Sequence, residues 1–149
     1  MRSITLIMVV LATLCANTVF AFELVPPEEV SQSQDALMLE AELSEPDPLG
    51  PMIQLLDPLS LDLPFKNPFK MEVIFKPQNG SEVDFSTFKA FYGTFKLDIT
   101  DRLLKEAVKT SSGLRLANVK IPSGRHKLYI SIKDNLGHSA AKELAFKVE

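Results

Sequence analysis

The side chains able to do acid–base or nucleophilic chemistry are few. The chain carries two histidines, His126 and His138. A Ser–His–acid set can be drawn on paper from Ser123 or Ser139, a neighbouring histidine and Asp134. No Gly-x-Ser-x-Gly elbow or comparable setting exposes a nucleophile, so hydrolysis is not expected. His126 shares its strand parity with Leu128 and Ile130 and is expected to pack inward, its ring nitrogens satisfied by backbone. His138 falls in a turn and is expected to be solvated. Two histidines at opposite ends of one strand do not make a metal pair.

Oxygen ligands are better supplied. "LDITD" sets Asp98 near Asp101 and "KDNLG" adds Asp134 and Asn135, which makes Asp98, Asp101 and Asp134 weak calcium candidates. No Asp-x-Asp-x-Asp loop accompanies them, and each has a plain role as a cap or turn former. A third candidate is the basic, aromatic run "PFKNPFKMEVIFK". There Lys66, Phe69, Lys70 and Lys76 form a candidate binding patch for a glycan or acidic polymer, set beside the ordinary role of lysines on a wet strand face. No cofactor is implied.

These residues sit in a chain of 149 residues, 46% hydrophobic, large enough for one core and small for two. The start, "MRSITLIMVVLATLCANTVFAFE", has Arg2 ahead of an apolar run and small residues up to Ala21. That is the anatomy of a secretory signal peptide over 1–21 with cleavage after Ala21, and it places the protein in the periplasm or outside the cell. An uncleaved segment would be its one membrane contact. Cys15, the single cysteine, lies inside this segment. The mature chain is therefore expected to fold without disulfides, forgoing about 2–4 kcal/mol per bridge, and without thiol chemistry.

Charge divides the remainder. Residues 22–49 hold eight acidic residues and no Lys or Arg, punctuated by Pro26, Pro27, Pro46 and Pro48. That composition predicts a disordered acidic leader, with helix-forming character confined to Ser33–Leu43, the alternative being a segment that folds against a partner or against the basic side of its own domain. Residues 50–149 hold fifteen Lys and Arg against eleven Asp and Glu, an excess too small and too scattered for a nucleic-acid surface.

From residue 50 the hydrophobic period is two. Ile53 and Leu55, then Met71, Val73 and Phe75, then Phe88, Ala90 and Tyr92 mark successive strands. Phe95, Leu97 and Ile99 follow, then Leu114, Leu116 and Val119 with a one-residue slip that predicts a bulge. Leu128, Ile130 and Ile132, with Leu144, Phe146 and Val148, supply a closing hairpin. Turn residues lie between them at Asn79-Gly80, Gly93, Gly113, Gly124 and Asn135 to Gly137. "ITDRLLKEA" interrupts as one or two helical turns, capped by Thr100 or Asp101. Seven or eight half-buried strands in about 100 residues spell an all-β antiparallel sandwich.

The stretch "PSGRHKLYISIKDNLGH" and the last strand "LAFKVE" resemble the final hairpin of bacterial immunoglobulin-like domains, and "GPMIQLLDP" and "NPFKMEVIFKP" resemble their opening strands. His126 stands where that pattern has Tyr, and the Cys, Trp and Cys landmarks of antibody domains are missing. The resemblance covers residues 50–149 and implies an immunoglobulin-like fold. Such sandwiches offer faces, end loops and edges to other proteins. The expectation is thus a non-catalytic protein-interaction or structural module of the bacterial envelope, its partner another envelope or periplasmic protein. The alternative is a module binding an envelope glycan or calcium.

Overall fold

Apolar and polar alternation turns one side of each strand to oil and the other to water, and two such sheets meet by their apolar sides. In the computed structural model, which describes residues 21–29 and 47–149, this produces a two-sheet sandwich. One sheet comprises β1 (Phe22–Glu23), β7 (Gly113–Lys120), β3 (Phe69–Lys76) and β2 (Met52–Asp57), in that spatial order, with β6 (Val108–Lys109) also paired to β7. The other comprises β5 (Leu97–Asp98), β4 (Val83–Tyr92), β8 (Gly124–Asp134) and β9 (Ser139–Val148), again in spatial order. A short helix, α1 (Thr100–Glu106), connects β5 to β6 and so crosses from one sheet to the other.

The inward residues are those the alternation selects: Met71, Val73 and Phe75 of β3, Phe88, Ala90 and Tyr92 of β4, and Leu128, Ile130 and Ile132 of β8 are buried. Phe75 anchors the centre, edge-on to Phe85 at 5.7 Å and Phe88 at 5.9 Å. The expected slip in β7 is a bulge. Register with β3 shifts between the Phe69 and Met71 pairings, and Asn118 takes a positive φ of 56°.

Two expectations change. Phe95 does not lie on an inward strand face. Gly93 (φ 70°) and Lys96 (φ 50°) close a turn with Lys96 N–H donating to Gly93 O at 3.2 Å, which leaves Phe95 58% exposed and shortens β5 to two residues. The turn expected at Gly113 joins β6 to β7, with the Thr110 N–H donating to Gly113 O at 2.9 Å, and Gly113 also opens β7, where a Cβ would collide with the Val73 backbone. The cap of α1 is neither Thr100 nor Asp101 acting on the helix. The Asp98 carboxylate accepts the Thr100 N–H at 2.9 Å, while the buried Thr100 hydroxyl accepts the Ala90 N–H at 3.0 Å and ties the helix to β4.

The acidic leader also needs correction at its start. Phe22 and Glu23 pair in parallel with Val119 and Lys120, the Leu24 N–H donates to Lys120 O at 3.0 Å, and Leu24 and Val25 are 1% and 0% exposed. Arg102 of α1 grips this segment with a two-pronged bond to Glu29 at 2.8 and 3.2 Å and another to Leu24 O at 3.1 Å. Average composition pointed to solvation, but two adjacent aliphatic residues find a hydrophobic seam and one carboxylate finds a guanidinium. The domain therefore includes Phe22–Glu29. Residues 1–20 of the expected signal peptide and the stretch Ser33–Leu43, read from the sequence as helix-forming, lie outside the described residues. No helix among the described residues is long and apolar enough to cross a membrane.

The opposite seam is closed by β2 against β9. Phe65 bridges to the end of β9, its N–H donating to Lys147 O and its carbonyl accepting from Glu149, both at 2.8 Å. At the other end of the strand the Asp47 N–H donates to Ser139 O at 3.3 Å. Between them Lys142 points across the seam to Ile53 O at 3.2 Å, an inward charge of the kind that discourages strand addition at an edge.

Leu24→Ala is expected to lower unfolding free energy by about 2–5 kcal/mol in urea titration, the usual range for truncating a fully buried leucine. A chain begun at Gly50 lacks β1 altogether and should be destabilised further. Equal midpoints for the native and Leu24→Ala proteins would show that the segment does not belong to the fold.

Candidate functional site

The patch read from "PFKNPFKMEVIFK" does not form. Phe69 is half buried with its ring 5.1 Å from Phe65 and 6.1 Å from Phe146, so it serves the seam rather than a surface platform. Lys70 and Lys76 share the outer face of β3, but Glu72 and Ile74 lie between them, and at about 3.3 Å per residue they stand some 20 Å apart. Arg115 locks Glu72 by two bonds of 3.0 and 2.9 Å, and this holds the Glu72 carboxyl below its usual range. Lys66 is exposed in the loop before β3.

The calcium candidates are separated as well. Asp98 pairs with Phe91 near one end of β4, whereas Asp134 pairs with Val83 at the other. Asp98 is used to cap α1, and Asp101 is exposed in the first turn. Asp134 is buried and organises the β8–β9 turn. Its Oδ1 accepts the N–H groups of Leu136 (3.0 Å) and His138 (2.8 Å), and Oδ2 meets His138 Nδ1 at 3.1 Å. Burial pushes its carboxyl up, but the bonds from His138 and Leu136 outweigh that and leave it below the usual value. His138 is thus paired rather than simply solvated. Among the described residues no group of three or more His, Cys, Asp or Glu is placed to hold a metal ion.

His126 does pack inward, 3% exposed, and its surroundings settle its tautomer. Nε2 lies 2.8 Å from Pro122 O, which can only accept, so Nε2 carries the hydrogen. Nδ1 then accepts from the Tyr92 hydroxyl at 2.6 Å. Backbone satisfies one ring nitrogen, as expected, and a tyrosine the other. Burial lowers the His126 pKa from its ordinary 6.5, and burial, reinforced by the nearby Glu29 charge, raises that of Tyr92 to about 12. Both groups are neutral near pH 7. Of the two paper sets, that of Ser123, His126 and Asp134 is not assembled, because both His126 nitrogens are committed and Asp134 lies at the far end of β8, whereas in that of Ser139, His138 and Asp134 the histidine and the carboxylate do meet, at 3.1 Å.

The geometry instead draws attention to the outer face of β8 and β9 beside this pair. Arg125 and Lys127 project from alternate positions of β8, and Lys147 stands directly opposite Arg125 on β9, with Ala145 opposite Lys127. Lys127 is compensated by Glu143 at 3.1 Å, which raises its pKa. Lys147 has only Glu149 at 3.9 Å, and among the described residues Arg125 has no ion-pair partner. Like charges directly opposite on antiparallel strands destabilise a sheet by about 0.2–1 kcal/mol. Ala145 is the small residue beside these three cations. Together with Leu61, Gly93, Thr94, Tyr92, His126 and Phe146 they line a concavity of about 450 Å³.

Farther along the same face Tyr129 lies under Lys96, whose ammonium is 5.0 Å above the ring, and opposite Phe91 and Glu143. Alternation in "GRHKLY" puts Arg125 and Lys127 on one face. Their meeting with Lys147 depends on strand register, and the walls come from loops distant in sequence.

The class defined by these features is a two-sheet β-sandwich with a cationic concavity at one end. Comparison with protein-family models, with curated proteins and with solved structures finds no match for the chain.

Acidification should weaken the fold through His126. Its folded pKa lies below the unfolded value of 6.5, so its stabilising contribution is full above 6.5 and is lost as pH falls from there toward the folded pKa. Melting temperature is expected to fall between about pH 7.5 and about 5.5, and the slope should be shallower in His126→Phe, which keeps His138. That variant should also lose about 1–3 kcal/mol at the higher pH, because it strands the Tyr92 hydroxyl and the Pro122 carbonyl. Parallel pH profiles for the two proteins would contradict the assignment.

Proposed function

We propose that this chain is an exported, non-catalytic interaction module of a bacterial envelope, an immunoglobulin-like sandwich that holds a partner protein by one end. The observation that carries this reading is a set of large apolar side chains turned to water on two loops of that end. Leu59 is 89% exposed and Leu63 73% in the β2–β3 loop, and Phe95 is 58% exposed in the β4–β5 turn. The two loops are neighbours, since Leu61 of the first and Gly93 and Thr94 of the second line one concavity. Isolated exposed leucines are ordinary, but several on adjoining loops rimmed by charge have the composition of an interface core and its polar rim. The secretory character of residues 1–21 supports export, and the likeness of the closing hairpin to bacterial immunoglobulin-like domains supports the architecture.

The test is a triple substitution, Leu59→Ser, Leu63→Ser and Phe95→Ser. These side chains are already exposed, so stability should change by no more than about 0.5 kcal/mol per site. Capture from envelope extract should yield a protein held by the native chain and lost by the variant. A partner retained equally by both would move recognition elsewhere on the sandwich.

A further inference from the structure

We infer that the concavity at the end of the sandwich, where Arg125, Lys127 and Lys147 of β8 and β9 meet the Gly93 turn and Leu61, is a binding site for an oxyanion, a phosphate or carboxylate, carried on a sugar-sized body. The inference rests on charge placement and not on Leu59, Leu63 or Phe95, although the loops that carry them also wall the concavity. Arg125 and Lys147 face each other across the strand pair; among the described residues Arg125 has no ion-pair partner and Lys147 has Glu149 at 3.9 Å. A folded sheet gains nothing by opposing two cations. An anion seated between them removes the repulsion and receives charge-assisted hydrogen bonds, the guanidinium being suited to bind it by two parallel donors.

Lys127 completes the rim on the side where Glu143 already holds it, so it is positioned rather than free to swing away. Ala145, small and opposite Lys127, also lines the concavity. A volume of about 450 Å³ exceeds what a bare ion needs and lies in the range of small-molecule sites. The walls fix the rest of the ligand. Leu61 offers apolar surface for the body of a ring, while Gly93 and Thr94 bound it with turn backbone. Neutral His126 and Tyr92 beneath have their polar atoms bonded to each other and to Pro122, so they add no charge that would compete with the rim.

Calorimetric titration with glucose 6-phosphate, glucuronate, inorganic phosphate and glucose tests this. Glucose 6-phosphate or glucuronate should bind, glucose should not, and added sodium chloride should weaken binding because the rim is exposed. Arg125→Gln and Lys147→Gln should each reduce affinity by about tenfold or more, while Lys133→Gln, on the same face at the other end of β8, should leave it unchanged. In the ligand-free protein Arg125→Gln should melt no lower than the native chain, which shows that the arginine is not kept for stability. Inorganic phosphate binding as tightly as glucose 6-phosphate would overturn the sugar-sized body and leave a simple anion site. Binding by neither acid, equal binding by glucose, or affinity unmoved in both rim variants would overturn the site.

Discussion

Two sheets packed face to face leave two long seams open to water, and in a domain whose one cysteine lies in the leading segment no disulfide pins the layers together. How those seams are sealed governs the rest of the structure. On one side Leu24 and Val25 fill the gap beside β7, and α1 spans it, with Arg102 fastening Glu29 and the Thr100 hydroxyl fastening β4. On the other, Phe65, tilted against Phe69 and stacked on Phe146, closes one end, while Lys142 bridges to the carbonyl of Ile53. Each closure uses segments far apart in sequence, so packing replaces covalent linkage.

Closing the second seam has consequences for the surface. Phe65 can reach β9 only if the loop carrying Leu59, Leu61 and Leu63 runs along that end of the sandwich. Leu61 then turns toward the concavity, while Leu59 and Leu63 are left facing solvent. The turn after β4 arrives at the same end because β4 and β8 are antiparallel, with Tyr92 paired to Leu128 and Gly93 N–H bonded to Lys127 O. The cationic hollow and the exposed leucines are thus products of one architectural decision, made at the seam rather than at the surface.

Charge shows the same dependence on register. Arg115 and Glu72 come together because β3 and β7 pair those two positions, and the pair is satisfied. Arg125 and Lys147 come together by the same kind of pairing and are not. A slip of β9 by one residue against β8 would turn Lys147 inward and expose Phe146, so the hydrophobic pattern that sets the register also forces the like charges together.

Much of this was written locally. Period-two alternation specified the longer strands and their inward faces, the slip between Leu116 and Val119 marked the bulge, and the parity of His126 placed it inside. Local signals were misleading where a distant contact overruled them. Phe95 looked like an inward strand residue until the Gly93 turn carried it outward, Phe69 looked like a surface aromatic until the seam claimed it, and Phe22–Glu29 looked like solvated leader. By itself, then, the sequence determined which residues seek the interior and where the chain turns, because those preferences act over a few neighbouring residues. Tertiary structure alone decided which charges stand opposite one another, which apolar groups remain exposed and where a hollow opens, because those follow from strand register and seam closure between segments distant in the chain.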